Sequence, residues 1–414
     1  MLRQRENGDV VEIANRAVAG RAPLREAIGE GARVNAALPD AGGFGQLTAV
    51  AGGQWRALAD SAVEPNGYYL PDWALAVTAS ARGRTGVSAL IALNDPSDAA
   101  ARLIGLMPVI PIRRAYSIPL PALASAEPYG TLCTPLLDRA AAQDAAERLL
   151  EAARKTGARA LILRDVALDG AAMQAFDEVL RQRNLRPRVL QSRLRACLDA
   201  TREADELLRE ALGPKKLKEL RRQRHRLAEH GVVRFEIART REQVGAALEI
   251  FLRLEASGWK GQRGTALMQD AGDAGFIRRG APALAACGQC EIVTLHAGDT
   301  PVAAAIVLRH QDRAFYFKLG IDERFAKFSP GVQLSLDLTR HLCADPAIAS
   351  ADSTSGADHP MINPIWRGRF AIGDVLIPLR RGDPVVALIH AAMILRRAIR
   401  ELARRTAGII RTAG

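Results

Sequence analysis

Residues 315–338, "FYFKLGIDERFAKFSPGVQLSLDL", change character halfway along. Aromatic and bulky apolar residues open the segment in the pattern of a strand. From Ser329 it reads as a helix, entered through Ser-Pro-Gly after a short charged loop. Pro330 suits the first helical turn, where its missing N–H would be unpaired anyway. Ser329 reads as the N-cap. Gly331 has no side chain to obstruct a ligand, and the free N–H groups and positive dipole end of the helix suit an anion such as a diphosphate. The plainer reading is that Ser-Pro-Gly only caps a helix. It is no P-loop, because Gly-Lys-Ser/Thr is absent.

Working outward, "QCEIVTLHAGD" and "TPVAAAIVLRHQD" read as a hairpin, preceded by strand "VVRFEIART" and helices "REQVGAALEIFLRLEASGWKG" and "GFIRRGAPALAAC". Downstream, "AIASADSTSGAD" reads as a strand running into a polar loop, and "IGDVLIPLRR" as a last strand. Two antiparallel strands thus feed a strand–helix–strand crossover, which predicts a mixed sheet. The first half reads alike: helices from "GGQWRALADSA" and "EPNGYYLPDWALAVTASA", strands "VSALIALND" and "ARLIGLMPVIPIRR", then helix, strand "ARALILRDV" and helix. The fold class is α/β (α+β).

With 414 residues, two domains are expected. The reading divides the chain into a poorly ordered leader (1–44), an N-terminal domain (45–200), a basic connecting helix (201–231), a second domain (232–384) and a basic amphipathic helix (385–414). Residues 213–230 hold seven Lys/Arg against two Glu, and the run from Val385 six Arg against one Glu, within a formal net charge of +12. Such charge draws a protein toward nucleotides, nucleic acid or acidic lipid, or simply solvates its surface. Five scattered cysteines argue against a disulfide framework and for a reducing compartment. No run of about 18 apolar residues exists to span a membrane. The N-terminus lacks the apolar core of a signal peptide, so the expected location is cytoplasmic or membrane-peripheral.

The stretches "FLRLEASGWKGQRGTAL" (251–267), "FYFKLGIDERFAKFSPGVQL" (315–334) and "SADSTSGADHPMINPIWRG" (350–368) resemble the GNAT acyltransferases, in particular the bacterial cellulose-biosynthesis (CelD/BcsL-type) group. The first half resembles that group through "WRALAD…EPNGYYLPDWALAV" and "LIGLMPVIPIRR…YGTLCTPLLD". The tandem arrangement, shared with the FemABX transferases, implies two GNAT-like domains, each a mixed, mostly antiparallel sheet flanked by helices. Only the second would carry an intact acyl-CoA site. The sequence departs from the ordinary GNAT phosphate loop, Gln/Arg-x-x-Gly-x-Gly/Ala, offering one Gly preceded by Pro.

The resemblance implies a cofactor site on the strand backbone around Lys318 and Leu319. The Ser329, Gly331, Val332 and Gln333 turn would hold the pyrophosphate of acetyl-CoA or another acyl-CoA, with Arg324 and Lys327 adding charge. Direct transfer needs a base and an acid. Glu255, Asp322, Asp352 and His359 compete as catalytic residues, each with a plainer reading: solvent-facing helix charge, turn former, strand-end residue and loop residue. Tyr316 would protonate a thiolate or be core. Trp259 and Lys260 would contact an acceptor, a small molecule or a glycan- or lipid-linked group. "CGQC" at 287–290 lacks the second pair or His of a zinc site, so no metal is expected.

Three functions compete: an acyl-CoA-dependent N- or O-acyltransferase, in exopolysaccharide or cell-envelope biosynthesis; a FemABX-like aminoacyl transferase drawing on tRNA; and a non-catalytic scaffold docked at a membrane by its C-terminal helix. Nucleic acid is a partner only in the second.

Overall fold

The computed structural model describes residues 43–412 except 96, 99, 259, 260 and 262. The first half contains β1 (Phe44–Gln46), α1 (Gly52–Asp60), α2 (Pro71–Ser80), β2 (Ser88–Leu93), β3 (Leu103–Pro111), α3 (Ile112–Tyr116), β4 (Ala122–Ser125) and β5 (Leu136–Leu137). It continues through α4 (Ala142–Lys155), β6 (Ala160–Ala167), α5 (Ala171–Gln182) and β7 (Arg188–Asp199). The long helix α6 (Ala204–Ala228) leads to β8 (Val233–Ala238), α7 (Arg241–Ser257), α8 (Ala271–Ala286), β9 (Cys290–Ala297), β10 (Thr300–His310) and β11 (Arg313–Ile321). Then come α9 (Pro330–Cys343), β12 (Ser350–Asp352), β13 (Gly368–Pro378) and α10 (Pro384–Thr412).

Local sequence explains the boundaries. Thr240 and Gln243 close a capping box at the head of α7, satisfying two donors reciprocally. Gly213 interrupts α6 with φ 70°, a conformation glycine adopts without a Cβ penalty, and Pro214 restarts the helix. In α4 the buried residues Ala145, Ala146, Leu149, Leu150 and Ala153 recur at helical spacing.

The strands form one sheet in the order β1-β2-β3-β4-β6-β13-β7-β12-β11-β10-β9-β8, with β5 paired to β3. Only β4–β6 and β11–β12 are parallel. The sheet is therefore mostly antiparallel and flanked by helices, as expected, with one strand–helix–strand crossover in each half. The terminal strands are exchanged: β7, from the first half, pairs with β12, while β13 pairs with β6 and β7.

Alternating strand residues feed clusters on opposite faces. Ala89, Ile91, Ile306 and Leu308 pack under α1, α2, α7 and α8, around Trp55, Trp73, Phe251 and Phe276. Leu90, Ala92 and Met107 face α4 and α5, and Val293, Ala305 and Val307 face α6 and α9.

Two readings need correction. Ser329 does not act as a side-chain cap: it sits at φ 53°, ψ 52° and its hydroxyl makes no capping bond. The turn of Glu323–Phe328 ends there, with Ser329 N–H donating to Ala326 O, and this left-handed residue redirects the chain into α9. The strand β7 was not anticipated at all. Its Arg188, Arg193 and Arg195 look like solvent residues, yet Arg195 is completely buried.

Candidate active site

Strands β11 and β12 pair over three residues only, Arg313↔Ser350, Ala314↔Ala351 and Phe315↔Asp352. Beyond Phe315, β11 continues to Ile321 while the other chain leaves the sheet as the loop after Asp352. The two strands thus splay apart, leaving β11 from Tyr316 onward without a strand on that side. Thr354 spans the root of the opening, its hydroxyl donating to Tyr316 O at 2.6 Å.

A bulge lies in the same stretch. Ile306 pairs with Lys318 and Val307 with Tyr316, so Phe317 is the extra residue. Bulges re-aim side chains, and here Phe317 and Lys318 both turn toward the α7 side. Phe317 packs on the aromatic cluster under α7 and α8. Lys318 Nζ donates to Glu255 Oε1 at 3.0 Å.

Glu255 is 2% exposed, which overturns the reading of a solvent-facing helix charge. Its Oε2 accepts from Leu267 N–H at 2.9 Å. The close approach has a cause in Gly320, where a Cβ would lie 2.8 Å from the Glu255 nitrogen. Helix α7 rests directly on β11 there and hangs Glu255 over Lys318.

The other carboxylates are fixed by arginine. Asp322 caps the turn at Glu323 and binds Arg324 through both oxygens, at 2.7–3.1 Å. Hydrogen bonding to that guanidinium holds its carboxyl below the usual range, which suits a fixed charge better than a base. Asp352, 1% exposed, binds Arg195 at 3.0 Å and accepts from Thr354 N–H at 2.7 Å. His359 lies in the loop after β12, with Nδ1 accepting from Met361 and Ile362 N–H. Its neutral ring therefore carries the proton on Nε2.

At the head of α9, Gln333 N–H makes the first intrahelical bond, to Ser329 O at 3.0 Å. The N–H groups of Gly331 and Val332 precede that bond, as helix geometry requires. The Gln333 side chain is spent on Leu220 O of α6, at 2.8 Å. Gly331 serves packing rather than ligand access. A Cβ there would meet Leu319 at 2.9 Å, Ile321 at 3.3 Å and Met361 at 3.4 Å. Lys327 is exposed, its ammonium 4.9 Å from the Phe328 ring. Tyr316 faces away from Glu255, bonding Ser335 at 3.1 Å, and burial pushes its hydroxyl up to about 12. Trp259 and Lys260 lie outside the described residues.

The structure thus joins Glu255 to Lys318 and gathers Leu319, Ser329, Gly331 and Val332 at the far end of the splay. It brings Asp322 to Arg324 and Asp352 to Arg195. Sequence reading missed what the first half contributes. Thr131 O accepts from Arg195 at 2.5 Å and Thr131 Oγ1 donates to Thr354 O at 2.8 Å. Tyr129 lies 5.9 Å from Lys318 Nζ and donates to Asp273 at 2.7 Å. The Tyr68 hydroxyl and Arg195 Nε are buried without hydrogen-bond partners among the described residues. The one available signal was Tyr-Gly-Thr at 129–131, a turn sequence between apolar runs.

Among the described residues, no group of three or more His, Cys, Asp or Glu is placed to hold a metal, and no helix is long and apolar enough to cross a membrane. Cys287 is exposed whereas Cys290 is buried at the start of β9, where desolvation raises its thiol.

Residues 214–359 match the acetyltransferase (GNAT) domain family. No curated protein matches the chain. Among solved structures, that of FemX aligns with a TM-score of 0.54 at 13% identity, over 82% of this chain and 98% of that one. L-PGS from Bacillus licheniformis aligns at 0.42 and 12%, over 70% and 86%. A tandem GNAT protein from the clavulanic acid biosynthesis pathway aligns at 0.38 and 12%, over 82% and 99%. The chain therefore carries a GNAT acetyltransferase-like domain, and at 13% identity the likeness to FemX speaks for fold alone.

Proposed function

We propose that the protein is an acyltransferase that moves an acyl group from an acyl-CoA thioester to an amine or hydroxyl at the β11–β12 splay. The observation that supports it is the Glu255–Lys318 pair on the open half of β11. Of the candidate carboxylates, Asp322 and Asp352 are bound to arginine, which keeps its proton. Glu255 is bound to lysine, which can release one. The acceptor lone pair attacks the thioester carbonyl, the new C–N or C–O bond forms and the C–S bond breaks. Lys318 gives its proton to the departing thiolate and takes the acceptor's proton in its place. Lys318 stabilises charge on the carbonyl oxygen, and Glu255 fixes the ammonium. Gly331 and Val332 N–H, with Lys327 nearby, fit a diphosphate. Work in exopolysaccharide or cell-envelope synthesis rests on the sequence resemblance.

A second reading has its own support. Lys215, Lys216, Lys218, Arg221, Arg222 and Arg226 of α6 are exposed, and α6 is tied to α9 through Gln333 and Leu220. A phosphate backbone could lie there, as an aminoacyl-tRNA donor requires.

A lipid-linked acceptor is favoured by α10. Val386 and Ile389 anchor it, while Leu388, Leu395, Ile399 and Leu402 are 56–65% exposed and recur on one face.

Thermal unfolding with acetyl-CoA, longer acyl-CoAs and CoA tests the donor. A ligand at 100 times its Kd adds about 2.7 kcal/mol. A shift retained in Lys318→Met with turnover lost is the expected result. No shift at millimolar concentrations sinks the acyl-CoA reading. A salt-sensitive tRNA complex would then replace it.

A further inference from the structure

A cavity of about 830 Å³ lies where the two halves meet, below the root of the splay. The last residue of α1, Asp60, and the segment after it, with Glu64, line it, together with Asp169 before α5, Asp312 and Arg313 at the start of β11, and Arg139. Asp352 borders it too, but Arg195 neutralises it. Four carboxylates thus face two guanidiniums, in a chain whose net charge is +12. The local sign is opposite to that of the whole molecule.

The arginines are engaged. Arg139 Nη2 bonds Ala62 O and Gln311 Oε1, both at 3.3 Å, and Arg313 Nε bonds Ser350 Oγ at 3.2 Å. The carboxylates of Asp60, Asp169 and Asp312 make no hydrogen bond or ion pair with described residues.

Glu64 supplies an independent sign of a ligand. It is only 5% exposed, yet it lines the cavity. Oε2 accepts from Ala172 N–H at 3.2 Å, whereas Oε1 has no hydrogen-bond partner among the described residues. Burial raises its carboxyl, with the Ala172 N–H and Arg313 opposing. Gly170 makes room for it, because any side chain there would collide with the carboxylate. A buried carboxylate with one oxygen turned to the cavity is best met by a cationic or protic group.

We propose that this cavity binds an amine-bearing ligand, its ammonium group held between Glu64 and the carboxylates of Asp60, Asp169 and Asp312. That the ligand is the acceptor of the transfer rests on the acyltransferase reading; the binding does not.

Calorimetric titration of the full chain with three five-carbon probes, 1,5-diaminopentane, 1,5-pentanediol and glutarate, tests the claim. The diamine should bind at least about tenfold more tightly than either control. The Asp169→Asn/Asp312→Asn double variant, at two exposed positions, should weaken it by about tenfold or more. Glu64→Gln should weaken it as well, with its thermal unfolding recorded alongside to separate lost binding from lost folding. Glutarate binding as well as the diamine, no diamine binding at 10 mM, or undiminished binding by the double variant would each overturn the proposal. Acetyl-CoA shifts measured on the same samples keep the two ideas apart. Their loss in the wild-type protein sinks the donor site and leaves the amine cavity standing.

Discussion

Asp352 and Arg195 pose a direct contest between structure and catalysis. Their side chains are 1% and 0% exposed and 3.0 Å apart. Arg195 also holds the Thr131 carbonyl, and Asp352 the Thr354 N–H. Arg195→Met removes the guanidinium and leaves a buried carboxylate and a carbonyl unpaired. Breaking a buried pair in this way costs roughly 3–5 kcal/mol, which for a chain of this size lowers Tm by about 4–6 °C. Asp352→Asn should cost a similar amount, because it leaves the buried guanidinium uncompensated. The Arg195→Met/Asp352→Asn double variant removes both charges and should recover much of the loss. Scanning calorimetry of the three variants and the wild type completes the cycle. The structural assignment fails if Asp352→Asn melts with the wild type while turnover disappears. Asp352 would then be the base, and the Glu255–Lys318 reading would be wrong.

Other outcomes follow from particular contacts. His310 accepts Asn66 N–H on Nδ1 at 2.8 Å and bonds Ala59 O through Nε2 at 2.9 Å, which fixes a neutral ring. Burial depresses its basicity. The unfolded chain thus binds the proton more readily, so stability should fall as pH drops below about 6.5 and continue falling to the folded value. His310→Gln should flatten that slope in urea titrations from pH 5 to 8, and an unchanged slope would assign it to another group. Gly331→Ala should cost about 1–3 kcal/mol through overpacking against Leu319, Ile321 and Met361. An unperturbed melt together with lost acetyl-CoA binding would restore the ligand-access reading. Deleting residues from Leu395 onward should abolish sedimentation with anionic vesicles while leaving Val386 and Ile389 in place. Persistent co-sedimentation would clear α10 of that role.

Much of the fold was legible because its signals are local. The hairpin of β9 and β10 announces itself by apolar alternation around Ala-Gly-Asp-Thr, and α9 by Pro330 in its first turn. The strand β7 was hidden because its charges are satisfied at long range. Arg195 finds Asp352 157 residues away, a partner no window of sequence contains. The same holds for the site. Glu255 looked like any helix carboxylate until α7 was laid on Gly320, and Lys318 read only as strand backbone until the bulge at Phe317 turned its side chain. The meaning of Gly331 was misread for the converse reason. Its lack of a side chain is visible in sequence, but the three apolar neighbours that demand it are not.

The strand exchange changes what the first half is for. If the halves were separate bodies, a first half without a donor site would be dispensable. Instead β7 forms the neighbour of β12, so the floor of the splay belongs to both halves. Gly67 lets the first half close on β11, where a Cβ would lie 2.9 Å from Phe315, and Asn66 caps the same turn while donating to His310. Arg195 and Thr131 then hold Asp352 and Thr354, the residues at which β12 departs from β11. The first half therefore grips the root of the opening between the strands, beside the Thr354–Tyr316 bond within the second half. Loosening that grip should alter the proposed donor site without any contact to the donor. Thr131→Val, which removes only the hydroxyl bonded to Thr354 O, is the mildest such change. It should lower Tm by a few degrees at most while weakening acyl-CoA binding by several fold. Binding unaffected by that substitution would mean that the splay is shaped by the second half alone.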